Sequence, residues 1–101
     1  MAEALDRTPN LRTRIFHESE QSLSLQSLAA RFAAKEALAK AFGDPTKLVW
    51  SEIEVVKDEL GKPSFEFHGK TAELFRKRNY KVFLSLSHEQ DVATAIVLLE
   101  A

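Results

Sequence analysis

The chain has 101 residues, with 14 Lys and Arg against 15 Asp and Glu, a net charge of -1 and no cysteine. That length supports one small domain, residues 1–101, which buries about 60–70% of its unfolded surface and gains from association with other copies. Near-neutral charge argues against a bulk nucleic-acid binder. The absence of cysteine removes disulfides, thiolate zinc sites and a cysteine nucleophile, and no apolar run approaches the roughly 18–20 residues of a membrane span. A soluble cytoplasmic protein is the expectation.

Met1 to Asp6 reads as the end of a helix that Pro9 closes, because the residue before a proline is pushed away from helical geometry. From Asn10 to Ile15, Leu11 and Ile15 share a helical face. Arg7, Arg12 and Arg14 add local positive charge, which is either a solvated face or a docking surface for an acidic partner. Phe16-His17-Glu18-Ser19-Glu20 can open a short helix, with Ser19 as its cap and Glu20 in its first turn. Ser22, Ser24 and Ser27 then mark a polar connection.

Leu28 to Phe42 is the strongest helix in the chain: it consists of good helix formers, and Gly43 and Pro45 stop it. At about 100° per residue, Leu25, Leu28, Ala29, Phe32, Ala33 and Ala39 form an apolar arc that should face a core. Glu36 and Lys40 fall inside that arc, while Arg31 and Lys35 lie towards its solvent side. A carboxylate on an apolar face is unfavourable unless something pairs with it. Glu36 and Lys40 therefore form an i,i+4 salt bridge worth about 0.3–0.5 kcal/mol, or they belong to a metal or phosphate site at a cleft.

After Gly43-Asp44-Pro45 the apolar period changes to two. Trp50 to Val56 reads as a strand, Lys57 to Pro63 as a turn and the segment holding Phe65 and Phe67 as a second strand, together a hairpin. Gly69 to Asn79 is a second amphipathic helix with Ala72 and Phe75 on one side. Its basic end, Arg76-Lys77-Arg78, complements the helix dipole. Val82 to Leu86 and Val92 to Leu99 are strands joined by a polar turn that contains Ser87-His88. The fold class is α+β, with helices on one face of a mainly antiparallel sheet of about four strands.

Phe32-Ala33-Ala34-Lys35-Glu36-Ala37-Leu38-Ala39-Lys40 resembles the F/W-x-x-K-E-A-x-x-K signature of the phosphopantetheinyl transferases, and specifically of the holo-acyl-carrier-protein synthase family. Phe16-His17-Glu18-Ser19-Glu20 is similar to that family's Phe-Thr-x-x-Glu step, with His17 in place of Thr. Trp50, Gly61-Lys62-Pro63 and Ser85-Leu86-Ser87-His88 follow at family-like spacing, so the resemblance covers nearly the whole chain. It implies Mg2+-dependent transfer of phosphopantetheine from coenzyme A to a serine of apo-acyl carrier protein, by a homotrimer that binds the coenzyme between subunits. Glu36 would ligate Mg2+ and Lys40 would lie at the diphosphate or move a proton, which for a lysine needs a lowered pKa. Arg31 and His88 would contact nucleotide phosphates, Gly61, Lys62 and Pro63 the adenosine end, and Arg7 and Arg14 the carrier protein. The family opens with a Gly-x-Asp strand whose aspartate is a second metal ligand, and no such motif precedes Arg7, so the resemblance implies a domain that is short at its N-terminus.

Two other classes share some of these features. One is a carrier-binding or oligomerising module that keeps the fold without the metal chemistry. The other is a nucleic-acid module using Arg76, Lys77, Arg78 and Tyr80, which lacks the stacking platforms and the charge it needs. A serine hydrolase fares worse, since there is no G-x-S-x-G and Ser87 beside His88 forms no triad through adjacency.

Overall fold

A computed structural model describes residues 10–101. The readings on Met1 to Asp6, on Arg7 and on Pro9 lie outside the described residues. The order of elements is α1 (Leu11–Ile15), a 3-10 turn at Glu18–Glu20, α2 (Leu25–Phe42), 3-10 turns at Pro45–Lys47 and Trp50–Glu52, β1 (Ile53–Lys57), β2 (Pro63–Phe67), α3 (Gly69–Arg78), β3 (Lys81–Glu89) and β4 (Val92–Glu100).

The punctuation that delimits α2 is chemical. Ser24 caps its start by accepting from the Ser27 amide, and Gly43, at φ 93, ends it in a left-handed turn that a side chain would disfavour. The 3-10 turn ahead of α2 is capped by His17, not Ser19: the His17 ring accepts from the Ser19 amide while Glu20 reaches back to the His17 amide. This reciprocal arrangement is a capping box with a ring nitrogen in the usual hydroxyl position.

The four strands form two antiparallel ladders, β1 with β2 and β3 with β4. The single four-stranded sheet expected from the sequence is thus divided; β2 lies against β3 without sharing a ladder. Trp50 belongs to a 3-10 turn, because Glu52 swings towards the start of α3 and the strand begins only at Ile53. The connection of β3 to β4 is also tighter than the polar sequence suggests. The ladder continues through Ser87 opposite Thr94, His88 opposite Ala93 and Glu89 opposite Val92, leaving only Gln90 and Asp91 to turn.

The main core joins Leu38 and Ala39 of α2, Leu48, Ile53 of β1 and Phe75 of α3, with Phe67 stacked on Phe75 at 4.2 Å. Val82, Val97 and Leu99 cover it from the inner face of β3 and β4. A second small cluster holds Phe16 against Leu28. The outer face of the β3–β4 ladder leaves Phe83, Val92, Ile96 and Leu98 exposed, with Phe83 directly opposite Leu98.

The orientation of α2 departs from the sequence reading. Its buried residues are Leu28, Ala30, Ala34, Lys35, Leu38 and Ala39. The arc expected to face the core is instead half open, with Leu25 and Glu36 exposed and Ala29, Phe32 and Ala33 only partly covered. Alanine and lysine decide this outcome: small side chains let α2 lie close to its neighbours, and Lys35 is drawn inward by a buried partner. Hydropathy averaged over the helix registers neither.

Candidate functional site

Lys35 is fully buried, and its ammonium is completely satisfied. Nζ donates to Glu20 Oε1 at 2.6 Å, to the Ile15 carbonyl at 2.8 Å and to the Trp50 carbonyl at 3.3 Å. An ammonium has three protons to donate, and here each finds an oxygen. Burial pulls the Lys35 pKa down, against the opposing hydrogen bond and charge of Glu20. Glu20 is equally enclosed: its other oxygen accepts from the Val55 amide at 2.9 Å, and the Arg31 guanidinium stands 3.5 Å away. One lysine thereby locks α2 to α1, to the 3-10 turn and, through Glu20, to β1. The sequence reading that put Lys35 on the solvent side is overturned by this pairing.

The next residue, Glu36, is exposed and lines a groove between α2 and β4 together with Lys40 and the segment Ala93-Thr94-Ala95. Among the described residues Glu36 and Lys40 form no ion pair, so both present their charges to the groove. Ala33 and Ala37 floor it, and their size keeps it open. Further along the same seam a second groove is lined by Leu25, Gln26 and Ala29 of α2 and by His88, Gln90 and Asp91, with Ala93 common to both. Glu36, Lys40 and His88 therefore border one continuous α2–β4 seam. The ring of His88 is steered by Gln26, whose carbonyl lies 3.1 Å from Nε2 and whose side-chain amide lies 3.4 Å from Nδ1.

The remaining sequence candidates sit elsewhere. Arg31 is half-buried against Glu20, with Nε at ion-pair distance and without a hydrogen-bond partner. Gly61, Lys62 and Pro63 close the β1–β2 turn. Gly61 takes φ 82, the Asp58 carboxylate accepts from the Leu60 and Lys62 amides, and Pro63 pairs with Lys57. None of the three lines either groove of the seam. Arg14 is exposed on α1, beside Arg12, which donates to the Gln21 carbonyl.

Sequence reasoning missed Glu52, which caps α3 from a distance. Its carboxylate accepts from the Thr71 amide at 3.0 Å and hydroxyl at 2.9 Å. Burial disfavours its charge, but the Thr71 and Lys70 hydrogen bonds hold its pKa below the ordinary carboxylate value. A side chain on Gly69, at φ 57, would run into that carboxylate. The pattern Glu-Ile-x-Val before a hairpin gives no sign of this role, since the partners are 19 residues apart.

One exposed carboxylate with a lysine a turn away, over alanines, is a donor set for a hydrated hard cation and an anionic substrate group. Magnesium keeps several waters and takes few carboxylates, so Glu36 fits it as a single ligand. Architecture and seam define a small α+β protein with an open, charged groove between α2 and β4. A family model described as the 4'-phosphopantetheinyl transferase superfamily matches residues 2–97, and the chain belongs to that superfamily. It is 48% identical over 100 residues to holo-[acyl-carrier-protein] synthase of Clavibacter michiganensis subsp. michiganensis, covering 98% of this chain and 84% of that protein. Its fold matches holo-[acyl-carrier-protein] synthase from Neisseria meningitidis with a TM-score of 0.88 at 29% identity, over 99% of this chain and 88% of that one. The synthase from Bacillus anthracis in complex with CoA (3',5'-ADP) matches with a TM-score of 0.76 at 32% identity, over 99% and 85%.

Proposed function

We propose that this chain is a transferase that moves the 4'-phosphopantetheine arm of coenzyme A onto a serine of an apo-acyl carrier protein. The observation that carries the reading is Glu36 beside Lys40 on one open groove, in a chain of this superfamily. The serine oxygen attacks the phosphorus that bears the pantetheine arm. The diphosphate bond breaks, the hydroxyl proton is lost, and adenosine 3',5'-bisphosphate leaves with the electron pair.

Glu36 is the residue that would hold Mg2+, which supplies charge neutralisation at the diphosphate when bound. Lys40 lies across the same groove wall, where its ammonium stabilises charge that grows on the leaving phosphate, an electrostatic effect strongest in a partly dry site. His88, oriented by Gln26, presents an imidazole to nucleotide phosphate further along the seam. Arg31, Gly61, Lys62 and Pro63, which lie away from this seam, complete the coenzyme contacts in this reading from a neighbouring copy of the trimer. Arg14, exposed on α1, supplies basic charge that steers an acidic carrier protein, the role the sequence also gives Arg7.

The same reading includes a homotrimer in a cytoplasmic setting. What supports the homotrimer is the exposed apolar outer face of β3 and β4, together with the half-open apolar arc of α2. No helix among the described residues is long and apolar enough to cross a membrane.

The test is mass spectrometry of apo-acyl carrier protein incubated with the chain, coenzyme A and Mg2+. The expected result is a gain of one phosphopantetheine mass, with the rate reduced about 100-fold or more by Glu36→Ala. No gain with this chain, but a gain when a Gly-x-Asp strand is joined ahead of Met1, would mean that the transfer needs a second metal ligand; no gain with carrier binding retained would favour a carrier-binding module. No gain in either case overturns the transferase reading.

A further inference from the structure

We propose that His17, Glu54 and His68 form a binding site for a divalent transition-metal ion, zinc foremost, that clips three separate segments of the fold together. His17 caps the 3-10 turn before α2, Glu54 lies on β1, and His68 stands between β2 and α3. None of them lines either groove of the α2–β4 seam, so the cluster lies apart from Glu36, Lys40 and His88.

The geometry is close to what an ion requires. His68 Nε2 lies 2.9 Å from Glu54 Oε1, and His17 Nδ1 lies 3.8 Å from the same oxygen. One ligand atom from each of the three side chains falls within 4.8 Å of the others, the only such group of three or more among the described residues. Metal–ligand bonds of about 2.0–2.2 Å in a tetrahedral site put neighbouring ligand atoms about 3.3–3.5 Å apart. The carboxylate is therefore already in range, and the two rings need only modest torsional adjustment. They have room for it, since both side chains are partly exposed.

The chemistry of the donors selects the ion. Two imidazole nitrogens and one carboxylate oxygen suit zinc, nickel or copper, whereas magnesium prefers all-oxygen surroundings. The rings stack with centroids 4.3 Å apart and planes 21° from parallel, so both present an edge to the same carboxylate. The second oxygen of Glu54 accepts from Ser19 Oγ at 2.6 Å, a support that fixes the carboxylate's direction as outer-shell partners do in metal sites. His17 currently accepts from the Ser19 amide at 3.2 Å, and the lone pair used there is the one the ion would take. With three protein ligands and an open fourth position for water, the ion would tie the start of the α2 connection to β1 and to the foot of α3.

The full chain, stripped of metal with a chelator, is titrated with Zn2+ by calorimetry and with Co2+ by visible absorption, with Mg2+ as the contrasting ion. The expected result is one Zn2+ per chain, a Co2+ absorption band of low-coordinate type, and a thermal midpoint raised by Zn2+ but not by Mg2+. His17→Thr and His68→Asn each weaken Zn2+ binding about tenfold or more, while His88→Ala leaves it unchanged. The titrations on the unaltered chain decide the matter even if a variant fails to fold. Absence of a Co2+ band, binding of Zn2+ no tighter than that of Mg2+, or binding lost with His88→Ala overturns the proposal.

Discussion

Lys35 and Glu36 are neighbours on α2, yet they occupy opposite kinds of surroundings. Lys35 is dry and has every proton engaged, whereas Glu36 faces solvent across a groove floored by alanine. The same division separates the carboxylates. Glu20 and Glu52 are committed to backbone amides of other elements, and Glu36 is engaged by no ion pair among the described residues. Charged groups that hold this fold together are those already saturated with partners, and a group free to bind a ligand is one the fold does not require.

That contrast is sharpest at Lys35. Lys35→Ala leaves Glu20 charged and buried, and the expected loss is about 3–5 kcal/mol of folding free energy, measured by urea denaturation. A loss near zero would erase the distinction between the two faces of α2. Gly69→Ala is the next largest. It places a β-carbon against the Glu52 carboxylate at a left-handed backbone position, with an expected destabilisation of about 2–3 kcal/mol from backbone strain and the lost cap.

The Glu52 cap also predicts a pH dependence. Its folded-state pKa lies below its unfolded value of 4.5, so its stabilisation is fully present above that pH and is lost as pH falls through the folded value. Wild type should exceed Glu52→Gln by about 1 kcal/mol at neutral pH, with the two converging in acid. The smallest expected effect is on the other side of the comparison. Glu36→Ala should shift stability by no more than about 0.5 kcal/mol, as exposed surface substitutions do, while abolishing most of the transfer activity.

Much of this was legible in the chain. The hairpin around Gly61, the helix from Gly69 and the two long strands follow from turn residues and apolar alternation, because those signals are local. Glu36, Lys40 and His88 were legible only as a resemblance of motifs, and their place along one seam of a single chain was not. The face of α2 was not legible. Its apolar arc and its buried arc differ because burial of Lys35 depends on Glu20, 15 residues earlier, and no helical period contains that pairing. Glu52 escaped for the same reason, its partner arriving after an intervening hairpin. The His17, Glu54 and His68 cluster is likewise a product of topology alone.

The bond from Glu20 to the Val55 amide has one further consequence. β1 pairs with β2 on one side, and among the described residues no strand flanks it on the other. A bare strand edge is a template for self-association through its backbone, and proteins blunt such edges with charge. Here a glutamate occupies a donor at the middle of that edge, with a lysine behind it. A foreign strand pairing at Val55 would have to compete with a buried ion pair for that amide, so the joint that steadies α2 also blunts the edge of β1.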